Sequence, residues 1–390
     1  MIQRKSAAPV SLIVALVLAV GVVVARQTPG QSQGGTPPPA GAQAQAPEQP
    51  PAHPAEDVYM NIQVFKGVPA WQIVPTMNFM AASLGVQCNF CHVSLDAAGL
   101  AKDDKETKQT ARKMITMTLA INKDNFNGRK QVTCNSCHNG HHEPTAVPLV
   151  ASERPAPAPP PPPPATANTP STPPPTVDQI LAKYVEALGG QSTLEKLTSR
   201  VGRGTLSVGD FHAPFELYQE APGKQLALIH LPNGERAQGF DGTTMWESGP
   251  GASEEPSEAW QLARAKRSAD LQSALHMKQA FPRLQVFPRK DKMGDHEAYV
   301  VMARPQGDTP VRFYFDAESG LLLRTTTVLD TPLGLSPTQT DYEDYRAVDG
   351  VQVPFRIRQS RLDNTVILQF DDVKQNVPVD DAKFTKPAGK

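Results

Sequence analysis

This 390-residue chain has only four cysteines and no excess of either positive or negative charge. Its 38 basic residues are balanced by 39 acidic ones, so the chain has no global field that would attract a polyanion. This balance removes the electrostatic case for nucleic acid, and we expect no nucleic-acid partner. Partners have to be inferred from individual sites.

The four cysteines all lie in two copies of one pattern, Cys88-Asn-Phe-Cys91-His92 and Cys134-Asn-Ser-Cys137-His138. In a C-x-x-C-H pattern the two thiols add to the vinyl groups of a haem, and the histidine becomes an axial ligand to its iron. The repeat predicts two covalently attached haem c groups. The attachment residues are Cys88, Cys91, Cys134 and Cys137, and the axial histidines are His92 and His138.

Two other uses of the cysteines stay open. A zinc site could take four such ligands, but 42 residues separate the two pairs, and zinc ribbons do not require the histidine that follows each pair. Two disulfides would suit an exported protein.

The first 26 residues have the layout of an export signal. A basic region with Arg4 and Lys5 precedes an apolar run over residues 10–25, which ends in small residues that offer a cleavage site. Because this run is slightly short for a membrane span, residues 1–26 are interpreted as a cleaved signal peptide, with an uncleaved N-terminal anchor as the alternative. No cysteine lies near the run, which excludes a lipoprotein anchor. We therefore expect a periplasmic or otherwise extracytoplasmic protein.

Composition divides the rest of the chain into four segments. Residues 27–56, rich in Gly, Pro, Gln and Ala, predict a disordered linker, and residues 57–150 hold both motifs. Residues 151–176 include six consecutive prolines and predict a semi-rigid polyproline II spacer. At about 3.1 Å per residue this spacer would hold the flanking domains about 60–70 Å apart. Residues 177–390 form the second domain.

Two helices are predicted in the segment that bears the motifs. The first is indicated by the apolar pattern of residues 71–84; the helix itself is expected to start near Pro75 and to end at Gly85. The second covers about residues 104–122 and is followed by the turn Asn127-Gly128. Apolar residues at helical spacing form one face of each helix, namely Ile73, Met77, Met80 and Leu84 in the first and Ala111, Met114, Ile115, Thr118 and Ile121 in the second.

The second domain begins with helices and continues with strands. Capping boxes between Thr176 and Gln179 and between Ser192 and Glu195 each predict a helix start. The apolar pattern then switches to period two, with turn residues between short runs, which predicts an antiparallel, meander-like sheet. A helical insertion at about 257–279 is expected to pack across one of its faces. The predicted strands include residues 215–218, 225–231, 298–302, 311–315, 321–328 and 366–370.

Signs of catalysis are lacking in the second domain. It shows no nucleophile–base pairing, no Gly-rich phosphate loop and no carboxylate cluster with catalytic spacing. Its scattered histidines are interpreted as structural or surface residues: His212, His230, His276 and His296.

A haem that only moves electrons needs a second axial ligand at its iron. The methionine thioether is the soft, uncharged choice, and it raises the reduction potential. The predicted helices offer Met77 with Met80 and Met114 with Met117, each pair on a shared face. The residues alone do not decide which methionine of each pair is the axial ligand.

Order, spacing and flanking residues of the motifs together resemble the photosynthetic reaction-centre cytochrome c subunit family. The resemblance lies in Met77-Asn-Phe-Met-Ala-Ala-Ser-Leu-Gly-Val-Gln-Cys88-Asn-Phe-Cys-His92, Ala111-Arg-Lys-Met114 running to Ile121-Asn122, and Val132-Thr-Cys134-Asn-Ser-Cys-His138. It covers about residues 57–150. Well-known members carry four haems, so this chain with two motifs corresponds to half of such a subunit.

The resemblance also implies the sixth ligands. In the family a helix lies along each haem plane and supplies a methionine to the iron. The methionine eleven residues before the first cysteine matches Met77, and the one eight residues before Asn122 matches Met114. Met80 and Met117 are interpreted as core-filling residues. The histidine that serves a distant haem in the family has no evident counterpart between the second helix and the second motif.

A second, looser resemblance concerns about residues 176–390. A capped helix, long antiparallel strands, the turn Phe240-Asp-Gly-Thr-Thr-Met-Trp246 and a helical insertion are together similar to the outer-membrane lipoprotein carrier family. That fold wraps a curved sheet around an apolar cavity beneath a helix. The resemblance implies an apolar or lipid-like ligand, or docking on a membrane-bound partner; the alternative is a sheet that only positions the haem domain.

Several polar residues near the motifs have more than one interpretation. His141 and His142 are either competing metal ligands or surface histidines. The basic pairs Arg112-Lys113 and Arg129-Lys130 either guide an acidic redox partner or pair with haem propionates, unless they form a solvated helix face.

The sequence thus predicts a multidomain protein, with a small α-helical dihaem c-type cytochrome domain and a C-terminal α+β domain built on a curved antiparallel sheet. We expect an electron carrier rather than an enzyme, with redox proteins, some of them membrane-bound, as partners. A haem sensor or redox enzyme with a displaceable axial ligand, and an apolar-ligand or lipoprotein binding protein with accessory haems, are the alternatives. Because the haem domain is small and has few aromatic residues, its haem-free form is expected to be largely unfolded.

Overall fold

The computed structural model describes residues 53–144, 174–250, 252, 259–305 and 308–387. The predicted export signal, nearly all of the first linker and nearly all of the proline-rich segment lie outside these ranges. Within the described ranges no helix is long and apolar enough to cross a membrane. Residues 53–144 are called the helical unit below, and residues 174–387 the sheet unit.

The helical unit has five described α-helices, with 3₁₀ turns before α2 and at the first motif. The helices are α1 (Ala55–Val58), α2 (Ile73–Leu84), α3 (Ala97–Ala101), α4 (Glu106–Phe126) and α5 (Cys134–His138). The two predicted helices are confirmed as α2 and α4. Gly85 ends α2 with a φ of 65°, and Asn127 ends α4 with a φ of 54°, both in the left-handed conformation that stops a helix. Pro75 lies in the first turn of α2, where no intrahelical hydrogen bond is lost.

The sheet unit contains one antiparallel sheet of 13 described strands. They are β1 (Ser199–Val208), β2 (Phe211–Glu220), β3 (Lys224–Leu231), β4 (Gly234–Phe240), β5 (Met245–Ser248), β6 (Arg283–Val286), β7 (Asp291–Met293), β8 (His296–Arg304), β9 (Val311–Asp316), β10 (Leu322–Thr331), β11 (Gly334–Val348), β12 (Val351–Ser360) and β13 (Thr365–Gln375). Their order is β5-β4-β3-β2-β1-β13-β12-β11-β10-β9-β8-β6, with β7 paired to β8. All six predicted strands are present, and the meander is confirmed apart from the long-range pairing of β1 with β13. Bulges at Arg203/Gly204 and Leu322/Arg324 shift the register and add twist to the curved sheet.

Four described helices accompany the sheet: α6 (Val177–Leu188), α7 (Gln191–Leu194), α8 (Ala259–Ala269) and α9 (Ser273–Ala280). The first predicted capping box is confirmed at α6, where the Gln179 backbone N–H donates to Thr176 Oγ1 at 3.2 Å and the Thr176 N–H donates to Gln179 Oε1 at 2.8 Å. The box predicted between Ser192 and Glu195 is wrong. Helix α7 has no side-chain cap, and Glu195 instead accepts from the Gln191 side chain at 2.7 Å.

The helical insertion is confirmed as α8 and α9, and α9 packs with α6 on the main hydrophobic core of the sheet. Aromatic contacts join the layers there. The Tyr184 ring of α6 lies 5.1 Å from the Phe315 ring of β9, and the Phe281 ring that follows α9 lies 5.3 Å from the Phe313 ring. These contacts fix the helices over one part of the sheet face and leave another part of it to face the helical unit.

The two units are in direct contact. Leu333, in the turn between β10 and β11, is 1% exposed and belongs to the hydrophobic cluster of the helical unit. A Cβ atom on Gly334 would lie 2.5 Å from the Phe79 ring of α2, so this turn packs against that helix. Lys130 forms an ion pair with Asp330 at 2.5 Å. The expectation that the proline-rich segment holds the two domains apart is therefore wrong, because apolar side chains of both units share one core.

Candidate functional site

One cavity of about 2580 Å³ connects the two C-x-x-C-H motifs. Its walls come from α2 and α4 of the helical unit and, on the opposite side, from the sheet and α8. Single-ligand pockets usually enclose about 300–1,000 Å³, so this cavity has room for groups larger than one small ligand. It is lined by every cysteine, histidine and methionine proposed as a haem ligand: Met77, Met80, Cys88, Cys91, His92, Met114, Met117, Cys134, Cys137 and His138.

Each motif folds into a single helical turn. The first is the 3₁₀ turn Cys88–Phe90, closed by the His92 N–H donating to the Cys88 carbonyl at 3.0 Å. The second is α5, which begins with a capping box between Thr133 and Ser136. In a helical turn, positions i, i+3 and i+4 lie on one face. The two cysteines and the histidine of each motif are therefore presented on the same side of the chain.

The motif histidines are held by their own loops. His92 Nδ1 lies 3.1 Å from the Leu100 carbonyl oxygen, and His138 Nδ1 lies 2.9 Å from the His141 carbonyl oxygen. A carbonyl can only accept, so Nδ1 carries the proton in both rings and Nε2 keeps its lone pair for a metal. Burial lowers the pKa of His92, which keeps that ring neutral at physiological pH. The carbonyl contacts thus orient both rings with Nδ1–H towards the loop and Nε2 away from it.

The cysteines are free thiols. Burial raises the pKa of Cys91 and of Cys134. Among the described residues no group of three or more His, Cys, Asp or Glu side chains could hold a metal ion. The geometry therefore gives the zinc alternative no support in the described part of the chain.

The four methionines all reach the cavity. On α2 the buried face consists of Ile73, Thr76, Phe79 and Ser83, whereas Met77 and Met80 are half-buried and line the cavity. The predicted apolar face of α2 is therefore shared: Ile73 is buried, whereas Met77 and Met80 line the cavity and pack against the hydrophobic cluster of the helical unit. Phe79, outside that face, lies beside Gly334 of the sheet unit. On α4, Met114 is 38% and Met117 is 45% exposed. The interpretation of Met117 as a core-filling residue is wrong.

The end of α2 packs against the end of the second motif. The backbone N–H of Gly140 donates to the Ser83 carbonyl at 2.8 Å, and a Cβ atom on Gly85 would lie 2.0 Å from the Gly140 carbonyl oxygen. Only glycine fits at position 85, for this reason and because its φ is positive. This close approach brings the two motifs to one cavity.

Several polar residues near the motifs have structural partners. Arg112 pairs with Asp103 at 2.8 Å, and the hydrogen bonds from Arg112 and Asn61 hold the pKa of that carboxyl well below its usual range. The His142 ring lies 5.9 Å from the Phe90 ring and lines the cavity, with a side chain that is 59% exposed. One residue of each basic pair is thus tied to this chain, since Arg112 pairs with Asp103 and Lys130 reaches Asp330 of the sheet unit.

The four histidines of the sheet unit have local partners, as expected of structural or surface residues. They contact Ser207 (His212, 2.8 Å), Glu216 (His230, 3.3 Å), Asp270 (His276, 2.8 Å) and Asp316 (His296, 2.7 Å). None of these groups brings together three ligating side chains among the described residues.

The residues present fit a covalently bound haem c. Each motif supplies two thiols and an imidazole whose Nδ1 donates to a backbone carbonyl, and each facing helix supplies two thioethers, all on one cavity. The backbone carbonyls of Leu100 and His141 were not predicted, because every residue has a carbonyl and only the folded loop aims one at a ring nitrogen.

Comparison with known proteins finds a similarity to the family that the motifs of the helical unit resemble. Residues 24–172 match the family described as photosynthetic reaction centre cytochrome C subunit. The photosynthetic reaction center cytochrome c subunit of Roseobacter denitrificans is 32% identical over 100 residues, which are 24% of this chain and 27% of that protein. The subunit of Thermochromatium tepidum is 33% identical over 94 residues, 23% of this chain and 22% of that protein. The match spans about a quarter of the length of these relatives, and it confirms the resemblance predicted from the motifs.

Solved structures match over about half of the chain. A LolA superfamily protein from Nitrosomonas europaea has a TM-score of 0.38 and 17% identity, and the match covers 54% of this chain and 98% of that one. A DUF1329 family protein from Desulfovibrio piger has a TM-score of 0.40 and 12% identity, with 54% and 97% covered.

Proposed function

We propose that this chain is an extracytoplasmic c-type cytochrome that holds two covalent haem c groups and passes electrons singly between redox partners. The observation that carries the proposal is the pair of hydrogen bonds from His92 and His138 to backbone carbonyls, which present both Nε2 atoms as iron ligands in a cavity shared with four thiols. The similarity of the helical unit to reaction-centre cytochrome c subunits supports a cytochrome-like electron carrier.

In this proposal the protein supplies position and environment, and haem iron supplies the one-electron chemistry. The two cysteines of each motif would fix one haem at two points. The Leu100 and His141 carbonyls hold each imidazole in one tautomer and one orientation. The walls of the cavity limit water around the metal, which together with the axial ligands sets the reduction potential.

The sixth ligands proposed are Met77 for one haem and Met114 for the other, as the family resemblance implies. Both side chains line the cavity with the cysteines. Met80 and Met117 line it as well, so the assignment rests on the match of spacing with the family and needs a direct test.

Partners and location follow from the same proposal. A one-electron carrier needs a donor and an acceptor, and redox proteins, membrane-bound ones among them, are the class proposed. The match to reaction-centre subunits supports an extracytoplasmic location. Covalent haem attachment and the apolar N-terminal run, whether cleaved or kept as an anchor, agree with it.

The decisive experiment combines intact mass with a reduced-minus-oxidised absorption spectrum of the exported chain. We expect a mass increase of two haems and a methionine–iron charge-transfer band in the oxidised protein. Cys88→Ala with Cys91→Ala should remove one haem, and Cys134→Ala with Cys137→Ala the other. A mass without haem, or two intramolecular disulfides in its place, would refute the proposal.

A haem sensor or redox enzyme differs from an electron carrier in one measurable property. Sensing and catalysis need an open or displaceable sixth position, whereas a pure carrier keeps both axial ligands. Carbon monoxide should therefore bind poorly to the reduced wild-type protein. Ready binding at both irons would favour the sensor or enzyme.

The size of the cavity favours a second candidate function, the binding of an apolar ligand beside the haems. At about 2580 Å³ it exceeds the usual volume of a single-ligand pocket, and aromatic side chains of the sheet unit, such as Phe240 and Trp246, line its far wall. Native mass spectrometry should then show a co-purified apolar molecule in addition to the haems. A mass that the chain and haems explain completely would contradict this candidate.

A further inference from the structure

Helix α8 presents a cluster of charged side chains to the cavity. Arg264 Nη2 lies 2.6 Å from Asp308 Oδ1, and Arg267 also pairs with Asp308. The Arg264 guanidinium donates in addition to Thr309 Oγ1 at 3.0 Å. Both arginines and Asp308 line the cavity that holds the motif cysteines. The three charged groups carry two positive charges and one negative charge, so this cluster has a surplus of one positive charge.

The cluster is buried, which makes its surplus charge matter. The side chains of Arg267 and Asp308 are 10% and 2% exposed, and that of Arg264 is 21% exposed. Burial lowers the pKa of Arg267, because its charge is partly removed from water. A buried guanidinium that shares one carboxylate with a second guanidinium is incompletely compensated, and an anion in the cavity would complete the group.

Two further donors lie on the same helix and line the same cavity. Trp260 Nε1 and Ser268 Oγ are buried and have no hydrogen-bond partner among the described residues. Both residues lie on α8 and line the cavity. The Arg264 guanidinium stacks at 4.9 Å over the Trp260 ring. Buried donors are nearly always satisfied in folded proteins, so an N–H and an O–H beside surplus positive charge indicate an acceptor that arrives with a ligand.

This group lies where the two units meet. The Trp260 ring is 5.1 Å from the Trp71 ring, which precedes α2 in the helical unit. Helix α2 carries Met77 and leads into the first motif. A group fixed to the motif cysteines would therefore share the cavity with the arginines of α8.

We propose that Arg264, Arg267, Trp260 and Ser268 form a carboxylate subsite in the sheet unit, and that it binds a propionate of a haem held by the helical unit. The proposal rests on the proposed function, because it needs covalent haem. Haem carries two carboxylates on an apolar macrocycle, which matches an apolar cavity that ends in a cationic, donor-rich wall. A free carboxylate from solution shares this chemistry and is the other source that the test separates.

The test measures the reduction potentials of the full haem-loaded chain and the propionate bands in its resonance Raman spectrum. Arg264→Gln removes one positive charge and leaves the pair of Arg267 with Asp308 neutral. Positive charge near a haem favours its reduced state, so this variant should lower the reduction potential of one haem. The expected change is up to about tenfold in the ratio of oxidised to reduced haem, which is about 59 mV for one electron. Arg264→Lys should restore most of the loss.

Two more variants keep the test independent of folding. Trp260→Phe removes the indole N–H and keeps an aromatic ring beside Trp71, so the propionate band should shift while the haem-loaded chain still folds. Arg283→Gln is the matched control, since Arg283 is exposed on β6 and does not line the cavity. It should leave potentials and bands unchanged.

The outcomes separate the two proposals. Wild-type protein without covalent haem contradicts the proposed function and this subsite alike. Haem-loaded protein whose potentials and propionate bands are the same in wild type, Arg264→Gln and Trp260→Phe contradicts the subsite alone. Decanoate serves as the probe for the other source. If it binds wild type and not Arg264→Gln while the propionate bands stay fixed, the subsite takes a free carboxylate and the assignment to haem is wrong.

Discussion

Gly140 donates its backbone N–H to the carbonyl oxygen of Ser83 across 2.8 Å. Ser83 belongs to the last turn of α2, which leads to the first motif, and Gly140 follows the second motif directly. This one hydrogen bond joins the backbone beside the first C-x-x-C-H motif to the backbone beside the second. It explains how motifs 46 residues apart in sequence, from Cys88 to Cys134, line one cavity.

The first prediction concerns this contact. Gly85→Ala should destabilise the protein strongly, because a Cβ atom there would lie 2.0 Å from the Gly140 carbonyl and because the residue has a positive φ. Gly67→Ala is the matched control, since Gly67 also has a positive φ, of 76°, but has open space around it. We expect about 1–2 kcal/mol for the control and clearly more for Gly85→Ala in denaturant unfolding of the haem-loaded chain. Equal losses would mean that the contact with Gly140 is not formed.

A second prediction tests the contact between the units. Leu333→Ala should lower the free energy of unfolding by about 2–5 kcal/mol, because it leaves a cavity in the core of the helical unit. Leu335→Ala, two residues away and 59% exposed, should cost less than about 0.5 kcal/mol. Unfolding followed by haem absorption reports on the helical unit directly. If Leu333→Ala leaves that transition unchanged, the turn between β10 and β11 does not contribute to its core.

A third prediction assigns the sixth ligands. Met77→Leu and Met114→Leu should each open one haem to carbon monoxide and abolish its methionine–iron band, because leucine keeps the volume and loses the thioether. Met80→Leu and Met117→Leu are the matched controls on the same helices and should leave both irons closed. If Met80→Leu binds carbon monoxide and Met77→Leu does not, the assignment on α2 is reversed. The same holds on α4 for Met117→Leu and Met114→Leu.

A fourth prediction concerns alkaline pH. Burial raises the pKa of Tyr342 to about 12 from an ordinary value of 10.0, and burial also raises that of Tyr345 well above 10.0. The unfolded chain can ionise these phenols near pH 10 and the folded chain cannot. Their contribution to stability is therefore complete below about pH 10 and is lost as the pH rises towards about 12, at about 1.4 kcal/mol per pH unit for each tyrosine.

Tyr342→Phe isolates one of these groups. Its unfolding free energy should fall less steeply than that of wild type between about pH 10 and 12, because one ionisable phenol is gone from the unfolded state. Guanidinium unfolding followed by far-ultraviolet circular dichroism of the strands at several pH values measures the two slopes. The same slope in both proteins would show that Tyr342 titrates freely in the folded sheet.

Local patterns in the sequence predicted the motif residues, the ends of several helices, the antiparallel strands and the family resemblance. The C-x-x-C-H repeat predicts Cys88, Cys91, His92 and their second copies as haem-binding residues, because haem attachment needs those residue types at that spacing. Helix caps and breakers placed the ends of α2, α4 and α6, since each depends on a few neighbouring residues. Period-two runs gave the antiparallel meander. The spacing of methionines before each motif carried the family resemblance, which the comparisons confirm.

Tertiary structure decided how these parts meet. No local pattern could show that Leu333 enters the core of the helical unit, that Phe79 rather than Met77 takes the buried face of α2, or that Trp71 contacts Trp260. Trp71 and Trp260 are 189 positions apart, and Phe79 and Gly334 are 255 positions apart. A hydrophobic side chain does not encode which distant partner it will meet. Only folding chooses that partner, because the close packing of both units fixes which surfaces fit together.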